Sequence, residues 1–297
     1  MVRYLFTDFR ALNILRNEST CTVVNEEAEI SGYEIYLVEQ WACDRRIVTV
    51  ITSYTGDSEH KIRVGVLSIP QDPKHWSDKT RAYFNEMRNC HAKPKQTELG
   101  SLFVTSLPTF PSHLTIILVP KGDIRANAGL FDVNLNLKRM GCCGRSTVSF
   151  KVPPDAVSVK FRHMFLTSDQ VPITFAAREL VMIIQLSLYY FGYFQANYID
   201  GLLCDHTQRA IKEWWENVGK QRYFLKPTED PMCRQSVAGI IGLVMGASRR
   251  LALVSNSRAP KDPYDAEHFM YSLEIFQKNE HLPNTICLDS KTIERLH

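Results

Sequence analysis

The chain has 297 residues, of which 44% are apolar and 23% charged, and a net charge of +3 at neutral pH. That length allows two domains with a substantial core, and the balance of residues excludes a disordered or fibrous chain. Basic residues are scattered, with Arg45-Arg46 and Arg249-Arg250 as the only Arg pairs, so direct nucleic-acid binding through a concentrated basic surface is not expected.

Met1–Asp8 holds no long apolar run followed by a small-residue cleavage site, so it does not read as a secretory signal. Three segments rich in β-branched and aromatic residues follow: Tyr33–Gln40, Ile47–Tyr54 and Lys61–Ile69. Thr55-Gly56-Asp57 supplies a turn, and the short connections predict an antiparallel meander. Trp76, Thr80, Tyr83, Phe84 and Met87 recur at helical spacing. The polar stretch Asn89–Gly100 reads as a loop, Ser101–Ser106 and Leu114–Pro120 as strands. Asn134 is expected to cap a short helix that stops at Gly141. Residues 1–150 therefore read as an α+β domain with an antiparallel sheet.

Pro153-Pro154 marks a change to helical pattern, and residues 151–297 read as an all-α domain. Val157, Phe161, Met164 and Phe165 form one apolar stripe, and Leu180, Ile183, Ile184, Leu188 and Phe191 a second. Further helices are expected over roughly 205–218, 234–252, 263–278 and 290–296 by the same periodicity. The most apolar segments, Leu180–Phe194 and Val237–Ala247, fall short of the ~20 residues of a membrane helix, so no membrane span is expected. Three helix starts are alike: Cys204-Asp205-His206-Thr207, Cys233-Arg234-Gln235-Ser236 and Asp289-Ser290-Lys291-Thr292. Each puts a hydroxyl three residues after the opening residue, where it can bond a free backbone group. Ala210 and Gly239, three further on in the first two, are small enough for close helix approach.

Leu180–Trp214 resembles the peptidoglycan-binding-like three-helix fold. In that family a leucine-rich helix leads to an Asp-Gly turn, here Asp200-Gly201; the next helix has a Thr in its first turn and an Ala before an aromatic, here Thr207, Ala210 and Trp214. Phe276-Gln277-Lys278 and Leu288-Asp289 with Thr292 resemble the later part of that motif. Cys204 and Cys233 stand where a Gly is usual, Trp215 where a Gln is usual, and Asp230 where the second turn has Gly. These departures bear on carbohydrate binding more than on the fold.

A wider set of strings is similar to the fungal Sin-three-binding proteins. It comprises the run Ile30–Cys43, then Ser53–Asp57, then Asn136–Cys142 with Gly144-Arg145-Ser146, then Asp200–Asp205, then Phe276–Lys278 and Leu288–Leu296. The resemblance implies a nuclear or cytoplasmic, non-catalytic protein–protein interaction module with a Sin-three-type corepressor as partner and a role in transcription. Members of that family are typically longer; a corepressor contact lying in such a tail would fall outside this sequence.

The remaining candidates are weaker. Cys204, His206 and Cys233 would be the start of a metal site, but no Cys-x-x-Cys pair exists, and the expectation is a helix-start Cys beside an exposed His. The eight cysteines, including adjacent Cys142-Cys143, are expected as reduced thiols. No nucleophile motif and no Gly-rich phosphate loop is present, since Gly239, Gly242 and Gly246 are spaced for helix contact, so no catalytic residue, cofactor or metal is assigned. On one helix Trp214 and Trp215 point about 100° apart, which predicts a core Trp214 and a partly exposed Trp215. Trp215, Arg249 and Arg250 are assigned to partner binding, against a half-buried structural Trp and a helix-dipole role for the arginines. The rival functions are a carbohydrate-binding module and a thiol enzyme.

Overall fold

The computed structural model describes residues 1–144, 147–223, 230–254 and 262–296. Arg145 and Ser146, part of one family string, lie outside the described residues. Two compact units emerge, Met1–Phe131 with Thr147–Lys151, and Asp132–Ser146 with Val152–His297.

The first unit holds eight strands: β1 (Val2–Phe6), β2 (Thr22–Ser31), β3 (Tyr33–Val38), β4 (Val50–Tyr54), β5 (Lys61–Ile69), β6 (Lys93–Thr97), β7 (Gly100–Val104) and β8 (Ile116–Leu118). They form a five-stranded sheet of order β2-β5-β1-β7-β6 and a three-stranded sheet of order β4-β3-β8. All pairings are antiparallel except β1 with β7, where Tyr4 faces Ser101. The expected meander is corrected. β3 and β4 do pair, with Tyr33 opposite Tyr54, but β5 leaves for the other sheet and lies between β1 and β2. Its run of buried Val64, Gly65, Val66 and Leu67 explains the switch, because a strand apolar on both faces belongs at a sheet centre.

Asn89–Gly100 is corrected from loop to hairpin: Lys93–Thr97 is the edge strand β6, paired with β7. Lys and Pro on an edge discourage further strand pairing, which makes an edge strand read as a loop. Helices α1 (Phe9–Leu15), α2 (Glu39–Cys43) and α3 (Asp78–Asn89) belong to the same unit. α3 buries Thr80, Tyr83, Phe84 and Met87, the apolar stripe of the sequence, against Phe6, Leu12 and Leu67. Asp8 is 3% exposed and fully used. It accepts from the amides of Arg10 and Ala11 to cap α1, and from the amide and hydroxyl of Thr49, both at 2.6 Å.

α4 runs from Ile124 to Arg139, and the division between the two units passes through it. Asn134 sits well inside this helix rather than at its start. The start is fixed by Asp123, whose carboxylate accepts from the Ala126 amide at 3.0 Å.

The second unit is all-helical: α5 (Asp155–Phe165), α6 (Ile173–Tyr190), α7 (Asp205–Trp214), α8 (Lys220–Tyr223), α9 (Arg234–Val254), α10 (Ala266–Asn279) and α11 (Ser290–Leu296). A single apolar core takes Phe161 from α5, Ile184 and Leu188 from α6, Trp214 from α7, Ile240 and Val244 from α9, and Phe269 and Leu273 from α10. α6 and α9 have 18 and 21 residues, longer than expected, and by length and composition alone are long and apolar enough to cross a membrane. α6 nonetheless buries Gln185 and Ser187, which suits a packed core helix.

Candidate functional site

The buried polar side chains of the helical unit organise its loops. Gln185, which interrupts the apolar stripe of α6, is completely buried. Its Oε1 accepts from the amides of Asp200 (3.1 Å) and Gly201 (2.8 Å), while Nε2 donates to Leu202 O (2.9 Å) and Thr207 Oγ1 (3.1 Å). One amide thus satisfies the Asp-Gly turn and the first turn of α7 together. Gly201 has φ +80, and a Cβ there would fall 2.5 Å from the Arg178 side chain, so only glycine fits. Asn136 of α4 holds the same loop from the other side, donating to Gly201 O and accepting from Leu203 N, both at 2.7 Å. Three residues on, Arg139 bonds the Asp205 carboxylate and Gln208.

The device recurs at the other end. Gln277 of α10, also fully buried, donates to Thr285 Oγ1, Cys287 O and Thr292 Oγ1 at 3.0, 3.0 and 2.9 Å, and accepts from the Ile286 amide at 2.9 Å. The similar helix starts become similar contacts: Cys204 Sγ to Thr207 Oγ1 at 3.3 Å, Cys233 Sγ to Ser236 Oγ at 3.2 Å, and Thr292 N to Asp289 Oδ1 at 2.8 Å. Sequence reasoning missed both glutamines. Their signal was a lone amide in an apolar stripe ahead of a turn, and the same pattern precedes both loops.

Trp214 is buried as expected, beside Phe191 at 5.8 Å and against Gly239, where a Cβ would meet its ring at 3.1 Å. Trp215 is corrected: it is 3% exposed, 6.0 Å from the Trp214 ring and part of the same core. The expected helix over 207–218 widens after Trp214 into a π-turn over Trp215–Gly219, which shifts the register of the faces. In this arrangement Trp215 offers no surface to a partner. Arg249 is exposed and Arg250 half-buried on α9, and among the described residues neither has a carboxylate partner. The structure does not join the two arginines to Trp215 in a hydrogen-bonded cluster among the described residues. Among the described residues the most exposed apolar side chains of this unit are Leu166 and Leu253, both 82% exposed, and Leu253 lies on α9 with the two arginines.

All eight cysteines are free. Burial pushes the Cys142 thiol up to about 11 and raises those of Cys90, Cys143 and Cys287, so these side chains stay protonated near neutral pH. Cys204 is fully buried against Thr207, while His206 stacks on Tyr198 at 5.3 Å. Among the described residues no group of three or more His, Cys, Asp or Glu is placed to hold a metal ion. Among the described residues, the open clefts include the following. One of 170 Å³ beside α7 is lined by Tyr193, Tyr198, His206, Arg209 and Glu213. In the first unit, one of 590 Å³ is lined by Glu34, His60, Lys121 and Asn127, and one of 800 Å³ by Tyr54, His91, Lys93 and the 104–109 loop.

An α/β unit of two sheets, followed by helices latched through buried amides, defines the class of protein. The STB6-like N-terminal domain family matches residues 2–140. Across the whole chain, Protein STB6 of Saccharomyces cerevisiae is 33% identical over 330 residues, and Protein STB2 of the same yeast is 33% identical over 338 residues, covering 99% of the chain. The chain spans 43% and 39% of the length of these two relatives. Residues 2–140 belong to that domain family, and the whole chain is similar to the STB-type proteins. No solved structure matches it.

Proposed function

We propose that this chain is a non-catalytic protein–protein interaction module that associates with a Sin-three-type corepressor and acts in transcriptional regulation, in the nucleus or cytoplasm. The observation that carries this reading is where the family strings meet. Asn136 and Arg139, from one string, bond Gly201, Leu203 and Asp205, from another. These two strings close a largely buried junction instead of converging on an open cleft, as reacting groups would. The protonated thiols around Cys142 favour the same reading over a thiol enzyme. Direct nucleic-acid binding and membrane insertion are not part of the proposal.

Affinity capture of residues 1–297 from the native cell, followed by mass spectrometry, tests it. Subunits of a Sin-three complex should be enriched over a control bait. Their recovery only with a longer chain would move the contact outside these residues. A glycan array and a thiol-reactivity screen separate the rivals: specific glycan retention would favour a carbohydrate module, and a hyperreactive cysteine a thiol enzyme.

A further inference from the structure

The 800 Å³ cleft of the first unit is built from the end of β4, the turn before β6 and the loop after β7. Its charge is one-sided. The lining holds Lys93 and His91, with hydroxyls from Ser53, Thr105, Ser106 and Thr109, and no carboxylate. Lys95 adds a second cation, its Nζ 3.1 Å above the ring of Tyr54, which is itself 53% exposed and lines the cleft. Among the described residues none of Lys93, Lys95 and His91 has a carboxylate within ion-pair distance, whereas Lys61 and Arg63 of β5 in the same sheet are paired with Glu29 and Glu27. Uncompensated cations collected at a concave surface attract an anionic partner and reject a cationic one.

The strand geometry selects the form of that partner. Lys93 and Lys95 are two apart on β6, so both side chains leave the same face of the strand, roughly 7 Å from each other along it. Two cations at strand spacing match two carboxylates at strand spacing, on alternate residues of an extended chain. β6 is also the end strand of its sheet, so nothing in that sheet covers its outer side. The exposed Tyr54 ring and Pro108 supply apolar contact beside the charges.

We propose that this cleft binds an acidic segment of a partner protein in extended conformation, with carboxylates at alternate positions meeting Lys93 and Lys95 and the exposed Ser106 hydroxyl donating to one of them. The proposal rests on the reading of the chain as an interaction module and names a surface and a partner chemistry for it. It differs from the Trp215, Arg249 and Arg250 assignment in both residues and unit.

Fluorescence anisotropy with a labelled peptide of alternating Glu and Ser is the test, run beside the same peptide with Lys for Glu, a phosphoserine peptide without carboxylates, and a uridine oligonucleotide. The Glu peptide should bind, more weakly as salt rises. K93E with K95E should lose at least about tenfold in affinity and gain binding of the Lys peptide. Both lysines are at the surface, and an unchanged circular dichroism spectrum would show that the variant is folded. The proposal is overturned if the Glu peptide does not bind, if the charge-reversed chain binds it as well as the parent, or if the phosphopeptide or oligonucleotide binds in its place. Cellular capture of Sin-three subunits that survives K93E with K95E would leave the wider reading standing while this site fell; peptide binding without such capture would do the reverse.

Discussion

Replacing Gln185 by Leu removes the first latch while keeping a side chain of similar bulk. Four bonds go, but they are unequal. Leu202 O keeps the Cys204 amide at 2.9 Å, and Thr207 Oγ1 keeps Cys204 Sγ. Asp200 N lies in a half-buried position that water can reach. The Gly201 amide is buried and loses its acceptor, which costs about 1–3 kcal/mol, with about 1 kcal/mol more for the Asp200 bond. The sum is a loss of about 2–4 kcal/mol, and for a unit of this size each kcal/mol moves the midpoint by about 2–4 °C. Thermal unfolding followed at 222 nm should show the helical transition fall by about 5–15 °C, and amide exchange at Gly201 should accelerate more than exchange in α9. Gln170→Leu, at an exposed loop position, serves as the control and should not move. A Gln185→Leu chain that melts within a degree of the parent would refute the latch.

Trp214→Ala and Trp215→Ala should both destabilise the chain by about 3–5 kcal/mol, because both indoles are buried; a Trp215 variant of parental stability that bound partners less well would restore the exposed reading. At the start of α10, Asp265 bonds His268 Nδ1 at 2.9 Å, which raises the imidazole above its ordinary range and lowers the carboxyl. The histidine's contribution is fully present below its unfolded pKa and is lost as pH rises through the raised folded value; the carboxyl's is lost as pH falls through its lowered one. NMR titration should place His268 above the ordinary imidazole range, and Asp265→Asn should abolish that shift; an unchanged His268 curve in that variant would contradict the pairing.

The legible parts of the fold were those with strong local period. The α3 stripe and the α5 stripe read directly, since Phe84 and Phe161 pack where their spacing places them. Illegible parts depended on non-local choices. β1 and β2 were missed because β1 is short and β2 mostly exposed, with little alternation. The departure of β5 follows from burial on both faces, which sequence neighbours do not reveal. Trp215 was misplaced because a π-turn has no clear sequence signature and the helix carrying it is covered on more than one side. The latches were half legible: Asp200-Gly201 and Thr207 announced the turn and the helix start, but the buried partner of both, Gln185, reads in sequence as a polar interruption. The cationic cleft joins Tyr54 to residues 91–109, a proximity that no spacing rule gives.

The central claim is direct association with a Sin-three-type corepressor, and a binding titration of purified residues 1–297 against the purified corepressor tests it without intermediaries. The account predicts saturable binding, unchanged by Cys142→Ser. No binding by this chain, where the full-length protein binds under the same conditions, would contradict it.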